Sequence, residues 1–173
     1  TPVSIRLATP DDIPVITRIY AHAVAHGTAS FELDPPDQAE MLRRMRALLD
    51  GGFPYITAEI DGAVAGYAYA GPYRPRVAYR YSVEDSIYID PAVQRRGVGR
   101  ALIMRLIADS EQRGFRQMIA VIGDSAQTAS IELHRAAGFR MIGNIENVGY
   151  KFDRWLDSVL MQRALGPGAT SKP

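Results

Sequence analysis

Gln94-Arg95-Arg96-Gly97-Val98-Gly99-Arg100 has the makings of an anion site. The stretch follows a strand-like run, Ser86 to Ile89, and opens an apolar-periodic run from Ala101 to Ala108. A glycine-rich turn between a strand and a helix start leaves several backbone N–H groups without partners. They converge on a spot that the helix dipole makes attractive to anions. Arg95, Arg96 and Arg100 add charge and forked donors suited to phosphate. A nucleotide-like phosphate is the ligand this pattern points to; the plain alternative is a tight turn with a solvated basic face. The motif lacks the Gly-Lys-Ser/Thr ending of a P-loop, and Leu102 stands where a dinucleotide fingerprint needs its third glycine.

Two carboxylates lie just upstream. Strand alternation places Glu84, Ser86 and Tyr88 on one face and Asp85, Ile87 and Ile89 on the other. A carboxylate in the middle of an otherwise apolar strand is costly unless solvated or paired. Glu84 is therefore either a functional proton acceptor or an edge-strand charge facing water. Asp85 is its rival, and a bulge would exchange their faces. His134 reads on its own as a helix histidine bonded to a nearby carbonyl. His22 and His26 are four apart with no third ligand evident, so no metal site is expected.

Those residues need elements to hold them. Val3 to Leu7 alternates as a first strand. Thr9 as N-cap, Pro10 and two acids start a helix that carries Ile13, Ile16, Ile19, Tyr20 and Val24 to Gly27. Asp34-Pro35-Pro36 begins a second helix, ending at Gly51-Gly52. Tyr55 to Ile60 and Ala63 to Tyr69 form a hairpin around Asp61-Gly62. A loop at Gly71 to Arg76 leads to a strand from Tyr81 to Ile89. After the glycine turn a helix runs to Gly114. Met118 to Ile122, wholly apolar, reads as a strand buried on both faces. Ala129 to Ala137 is a helix. Arg140 to Ile145 and Ser158 to Ala164 are extended, with a Gly149-Tyr150 and Trp155 loop between them. The order predicts an α/β (α+β) mixed sheet with helices on its faces.

At 173 residues one domain over 1–165 is expected, with 166–173 a disordered tail. A net charge of +1 gives no pull toward nucleic acid, and no apolar run reaches the roughly 18 residues of a membrane span. No charged n-region followed by an apolar h-region is visible in the sequence, which starts at Thr1 rather than Met, so no secretory signal is expected from these residues. With no cysteine there are no disulfides, thiolate metal sites or cysteine nucleophile, and a cytoplasmic location is expected.

Gln94 to Gly99 resembles the Gln/Arg-x-x-Gly-x-Gly/Ala signature of the GCN5-related N-acetyltransferase (GNAT) superfamily. Tyr69 to Arg76, Val83 to Ile89, Ser130 to Phe139 and Gly149 to Asp157 are similar to the branch containing phosphinothricin and methionine sulfoximine acetyltransferases. The resemblance covers Val3 to about Ala164. It implies the GNAT fold, a mostly antiparallel sheet with splayed middle strands. It further implies acetyl-CoA as co-substrate, no metal, and a homodimer. The implied reaction acetylates the α-amine of a small amino-acid-like substrate such as phosphinothricin, methionine sulfoximine or methionine sulfone. Lacking cysteine, the chain favours direct transfer in a ternary complex over an acetyl-enzyme. A peptide N-terminal acetyltransferase and a non-catalytic acyl-CoA sensor are the rival readings.

Residue by residue, the resemblance implies Glu84 as catalytic base. His134, where many relatives carry tyrosine, becomes a candidate to protonate the thiolate or assist proton removal. Arg95, Arg96, Gly97, Val98, Gly99 and Arg100 would take the pyrophosphate, and Ile87, Tyr88 and Ile89 the pantetheine arm. Gln127, where relatives often have Asn, and Ser130 are further cofactor contacts. Arg74, Pro75, Arg76, Glu84, Asp85 and Ser86 would shape the substrate pocket, the two arginines clamping a carboxylate or phosphinate unless they are plain solvated loop residues. Phe31, Tyr73, Tyr79 and Tyr81 are candidate walls, and Lys151 and Trp155 candidate neighbours.

Overall fold

In the computed structural model, which describes residues 2–173, each hydrophobic run becomes an element of one sheet or a helix laid on it. The strands are β1 (Ser4–Leu7), β2 (Tyr55–Ile60), β3 (Ala63–Pro72), β4 (Ser82–Ile89), β5 (Gln117–Gly123), β6 (Arg140–Lys151) and β7 (Arg154–Ala164). The helices are α1 (Ile13–His26), α2 (Gln38–Asp50), α3 (Val98–Gln112) and α4 (Thr128–Ala136). The sheet order is β1-β2-β3-β4-β5-β7-β6. Every neighbouring pair is antiparallel except β4 and β5. The splayed, mostly antiparallel sheet expected from the resemblance is the one observed.

Alternation along the strands divides the core into two. Ile16, Ile19 and Val24 of α1 and Met41 and Met45 of α2 pack with Tyr55, Tyr67 and Tyr88 on one face. Leu102, Ile103 and Leu106 of α3 pack with Val83, Ile87, Ile89 and Met118 on the other, with Leu133 of α4 against them. β4 thus shows the expected alternation, and its register against β3 runs without a bulge from Gly66–Ile89 to Pro72–Val83.

The parallel ladder between β4 and β5 is only three rungs long: Ser82–Gln117, Val83–Met118 and Glu84–Ile119. Beyond Glu84 the strands diverge, leaving β4 paired to β3 alone and β5 to β7 alone. Val121 is consequently 39% exposed. The expectation that Met118 to Ile122 is buried on both faces therefore fails at Val121, which lines the open space between the diverging strands, while Ala120 and Ile122 stay buried.

Other boundaries shift for local reasons. Pro10–Asp12 is a 3-10 turn ahead of α1, with Asp12 Oδ2 accepting from the Thr9 amide at 2.8 Å. α2 starts later than Asp34, at Gln38, because two prolines supply no donors and the Asp37 side chain provides the cap, accepting from the Glu40 amide at 2.9 Å. The expected loop at Gly149-Tyr150 and Trp155 is strand. β6 and β7 continue to a tight turn in which Phe152 (φ 55°) and Asp153 (φ 58°) both adopt left-handed backbone. The C-terminal segment expected to be disordered follows turns and docks. Arg116 donates to the carbonyls of Gly168 and Lys172, both at 2.8 Å.

The segment between α1 and α2 crosses to the β5 side of the fork. The Phe31 ring sits against Gly123 of β5 and Gly149 of β6, where only a residue without a side chain leaves room. A Cβ on Gly123 would lie 2.5 Å from the Thr28 carbonyl oxygen and 2.7 Å from Phe31 Cε1. Gly123→Ala is expected to destabilise the protein by about 1–3 kcal/mol, read as a lower urea midpoint at unchanged m-value.

Candidate active site

The fork opens into a cavity of about 590 Å³. Its walls come from both arms of the fork, from α4 and from the α1–α2 segment. Glu84 to Ile89 form one side, Ala120 to Gly123 the other, Gln127, Ser130, Leu133 and His134 one end, and Ala29, Ser30 and Phe31 the roof. Beyond the last shared rung, the edges of β4 and β5 that face each other carry backbone polar groups outside the ladder, available to an extended polar chain.

Gln94 belongs to the wall, so the glycine turn begins at the edge of the cavity. Arg95 (φ 62°) and Gly97 (φ 77°) are both left-handed, which folds the chain tightly before α3. Glycine takes this conformation without a Cβ penalty; Arg95 bears one. The bond from the Ala101 amide to the Gly97 carbonyl is 3.1 Å, and the amides of Val98, Gly99 and Arg100 precede it, in the turn whose N–H groups have no intrahelical acceptor. Arg95, Arg96 and Arg100 are exposed around this turn. Burial is confined to Val98 and Gly99, which close α3 onto the sheet.

Glu84 and Asp85 meet different surroundings. Glu84 is half-buried at the crotch of the fork, and burial, with a smaller push from the Asp85 charge, raises its pKa from an ordinary 4.5 to about 7. Asp85, on the opposite face, is buried and paired: its Oδ2 lies 2.7 Å from His134 Nε2. His134 Nδ1 lies 2.7 Å from the Ser130 carbonyl oxygen. Burial lowers the His134 pKa, but the Asp85 hydrogen bond and charge outweigh it and leave the imidazole above its ordinary 6.5. His134, a candidate to protonate the leaving sulfur or to assist proton removal, thus has both ring nitrogens bonded within the protein. The Asp85–His134 pair had no local sequence signal, because the partners are 49 residues apart.

A polar knot holds the roof. Asp124 Oδ2 accepts from Thr28 Oγ1 at 2.8 Å and from Arg154 Nη2 at 3.2 Å. Gln127 Nε2 donates to Thr28 Oγ1 at 3.0 Å, so the side chain expected on a cofactor arm is tied to the roof while still lining the cavity. Buried Lys151 donates from Nζ to the Ser30 carbonyl at 2.8 Å. Tyr20, Ser30, Glu32 and Arg44 continue the network, with Arg44 gripping Glu32 through two bonds of 3.0 and 2.7 Å.

Several candidates lie apart. Arg74, Pro75 and Arg76 are exposed and outside the cavity wall, with Arg74 over the Tyr73 ring at 5.3 Å. Tyr73 and Tyr79 meet edge to face, Tyr81 lies under the Arg80 guanidinium, and Trp155, 63% exposed, packs on Tyr150. His22 and His26 pack ring to ring at 4.7 Å, and no group of three metal-ligating side chains occurs among the described residues. Tyr69, Val121 and Ser158 line the cavity without having been singled out; only strand register marks them.

Glu84 and His134 both bind protons more tightly folded than unfolded. Their contributions are therefore present at low pH and decline as pH rises, for Glu84 between 4.5 and about 7 and for His134 from 6.5 upward through its folded pKa. Asp12, Asp90 and Asp124 sit below the ordinary 3.8 despite burial, so what they contribute is lost only in stronger acid. Unfolding free energy is expected to fall as pH rises from about 5 past 7, and Glu84→Gln should flatten the lower part of that decline; a flat or rising profile in urea titrations would contradict this assignment.

Residues 17–139 match the acetyltransferase (GNAT) family. The chain is 54% identical to the phosphinothricin N-acetyltransferase of Alcaligenes faecalis over 98% of its own length and 86% of the relative's. It is 40% identical to the L-methionine sulfoximine/L-methionine sulfone acetyltransferase of Salmonella typhimurium, covering 94% of this chain and 95% of that one. Among solved structures, a GNAT superfamily phosphinothricin acetyltransferase from Sinorhizobium meliloti, crystallised in complex with AcCoA, superposes with a TM-score of 0.97 at 45% identity, covering 100% of this chain and 94% of that one.

Proposed function

The chain belongs to the acetyltransferase (GNAT) family, and on that premise we propose that it is an acetyl-CoA-dependent N-acetyltransferase. It acts on the α-amine of a small amino-acid-like substrate of the phosphinothricin or methionine sulfoximine type. The observation that carries this reading is Glu84: a half-buried carboxylate with a pKa of about 7, at the crotch of a fork lined by free strand edges. The names of the relatives support the substrate class.

Acetyl-CoA supplies the acetyl thioester. Arg95 to Arg100 face its pyrophosphate, with the first amides of α3 as neutral donors. The strand edge at Ile87, Tyr88 and Ile89 bonds the pantetheine amides, with Ser130 beyond it. Glu84 takes a proton from the substrate ammonium, directly or through water, freeing the nitrogen lone pair. The new C–N bond forms as the C–S bond breaks, in one ternary complex, and the second proton shed by the acylated nitrogen passes to the sulfur, directly or through water, so that CoA leaves as thiol. Ser86, on the same face of β4 as Glu84, borders the amine. Arg74 and Arg76 are assigned to the substrate's acid group; their guanidiniums are exposed and form no ion pair among the described residues.

A homodimer is part of the proposal. The β6–β7 hairpin exposes Met141, Ile145, Val148, Tyr150 and Trp155, a row of apolar side chains of the kind that marks an interface.

Thiol release measured over a panel of amino acids, sulfoximines and a free-N-terminus peptide tests the reading. We expect turnover of the small amines, with kcat/KM rising with pH through about 7. Glu84→Gln should remove that limb and lower kcat by about 10²–10⁴-fold while CoA affinity persists. Turnover of the peptide alone would favour N-terminal acetylation. Tight CoA binding without turnover of any amine would leave an acyl-CoA sensor.

A further inference from the structure

We propose that Asp85 is a positioning residue for the transfer, acting through two neighbours: it holds the His134 ring in the cavity wall through Nε2, and its carboxylate stands next to Glu84 along β4, where its charge adds to the effect of burial. This inference rests on Glu84 being the base.

Both ring nitrogens of His134 are bonded, and the carbonyl partner fixes the proton on one of them. The Ser130 carbonyl can only accept, so His134 Nδ1 carries a hydrogen at 2.7 Å. Asp85 Oδ2 is 2.7 Å from Nε2, and this bond, with the Asp85 charge, outweighs burial and holds the imidazole above its ordinary 6.5. The Phe139 ring stands edge-on at 4.9 Å against the imidazole, so the orientation is set by packing as well as by bonds. The side chains of His134 and Asp85 are 5% and 2% exposed. Either charge alone at that depth would be strongly unfavourable; together they are tolerable. Neither N–H points to a group that could reach a leaving sulfur, so His134 acts through its charge and its shape.

Asp85 uses one oxygen on His134, and its Oδ1 is buried without a partner among the described residues. That carboxylate is the immediate neighbour of Glu84 along β4. The other titratable groups facing Glu84 are the phenols of Tyr69 from β3 and Tyr88 from its own strand. Burial holds both as neutral O–H at working pH. Among charged groups it is Asp85, with His134 as its counter-charge on the other side of β4, that adds to burial in raising Glu84. A glutamate repelled by a neighbouring carboxylate accepts a proton more readily, and such an acceptor is what an ammonium substrate requires.

The test combines imidazole NMR of the free protein with pH–rate profiles. The chain has three histidines, so a His134→Asn control assigns the signal. In the wild type the His134 imidazolium should persist above the ordinary 6.5. Asp85→Asn should move that titration down by roughly one pH unit or more, and should move the acid limb of kcat/KM down by about half a unit to one unit. An effect on packing alone would lower stability and leave the acid limb where it was. A wild-type His134 titrating at or below 6.5 overturns the proposal even if Asp85→Asn does not fold. So does an Asp85→Asn acid limb that coincides with the wild type. The NMR result needs no substrate, so failure of the enzymatic reading, seen as no turnover in the wild type, is distinguishable from failure of the pair.

Discussion

The site depends on a ladder that stops. β4 and β5 share three parallel rungs and then part, with Glu84–Ile119 as the last. Parallel neighbours inside a sheet ordinarily satisfy each other's backbone groups along their length. Here the separation opens two facing strand edges and a cavity between them. The same divergence leaves Glu84 half-buried at the apex, uncovers Val121 on the far arm, and brings α3's amide-rich first turn beside the opening. A fully zipped β4–β5 pair would fill the cavity with its own hydrogen bonds.

Strand alternation then assigns opposite fates to adjacent acids. Asp85 points toward α4, where it pairs with His134 at 2.7 Å. Glu84 points toward the α1–α2 side, where its neighbours are tyrosines. A paired carboxylate can be buried; an unpaired one in half-buried surroundings resists ionisation. The contrast yields one structural anion and one titrating near neutrality, although only one peptide unit separates them.

The roof over the cavity is stiffened from outside the fork. Thr28, Ser30 and Phe31 are reached by Asp124 and Gln127 at the end of β5, by Lys151 on β6 and by two facing glycines. These groups come from distant parts of the chain and converge where the α1–α2 segment crosses the sheet. The loop around Arg74 and Arg76 has no such anchors and stays on the surface. The cavity therefore has an anchored roof, and the basic loop lies outside its wall.

Much of this was legible from residue order. The Gly-x-Gly turn announces amides at a helix start, because only a glycine-bearing turn bends tightly enough to aim them. The alternation of Glu84 and Asp85 follows from the two-residue strand period, and the Asp61-Gly62 hairpin from turn chemistry. Local pattern misjudged the β6–β7 loop, where an aromatic residue and an acid occupy left-handed positions without glycine, and the tail, where Arg116 supplies distant bonds. Tertiary structure alone decided where β4 and β5 part, which acid would find His134, and that Gln127 would serve the roof. Those outcomes depend on contacts between residues far apart in sequence, whose energies exist only once the sheet has brought them together.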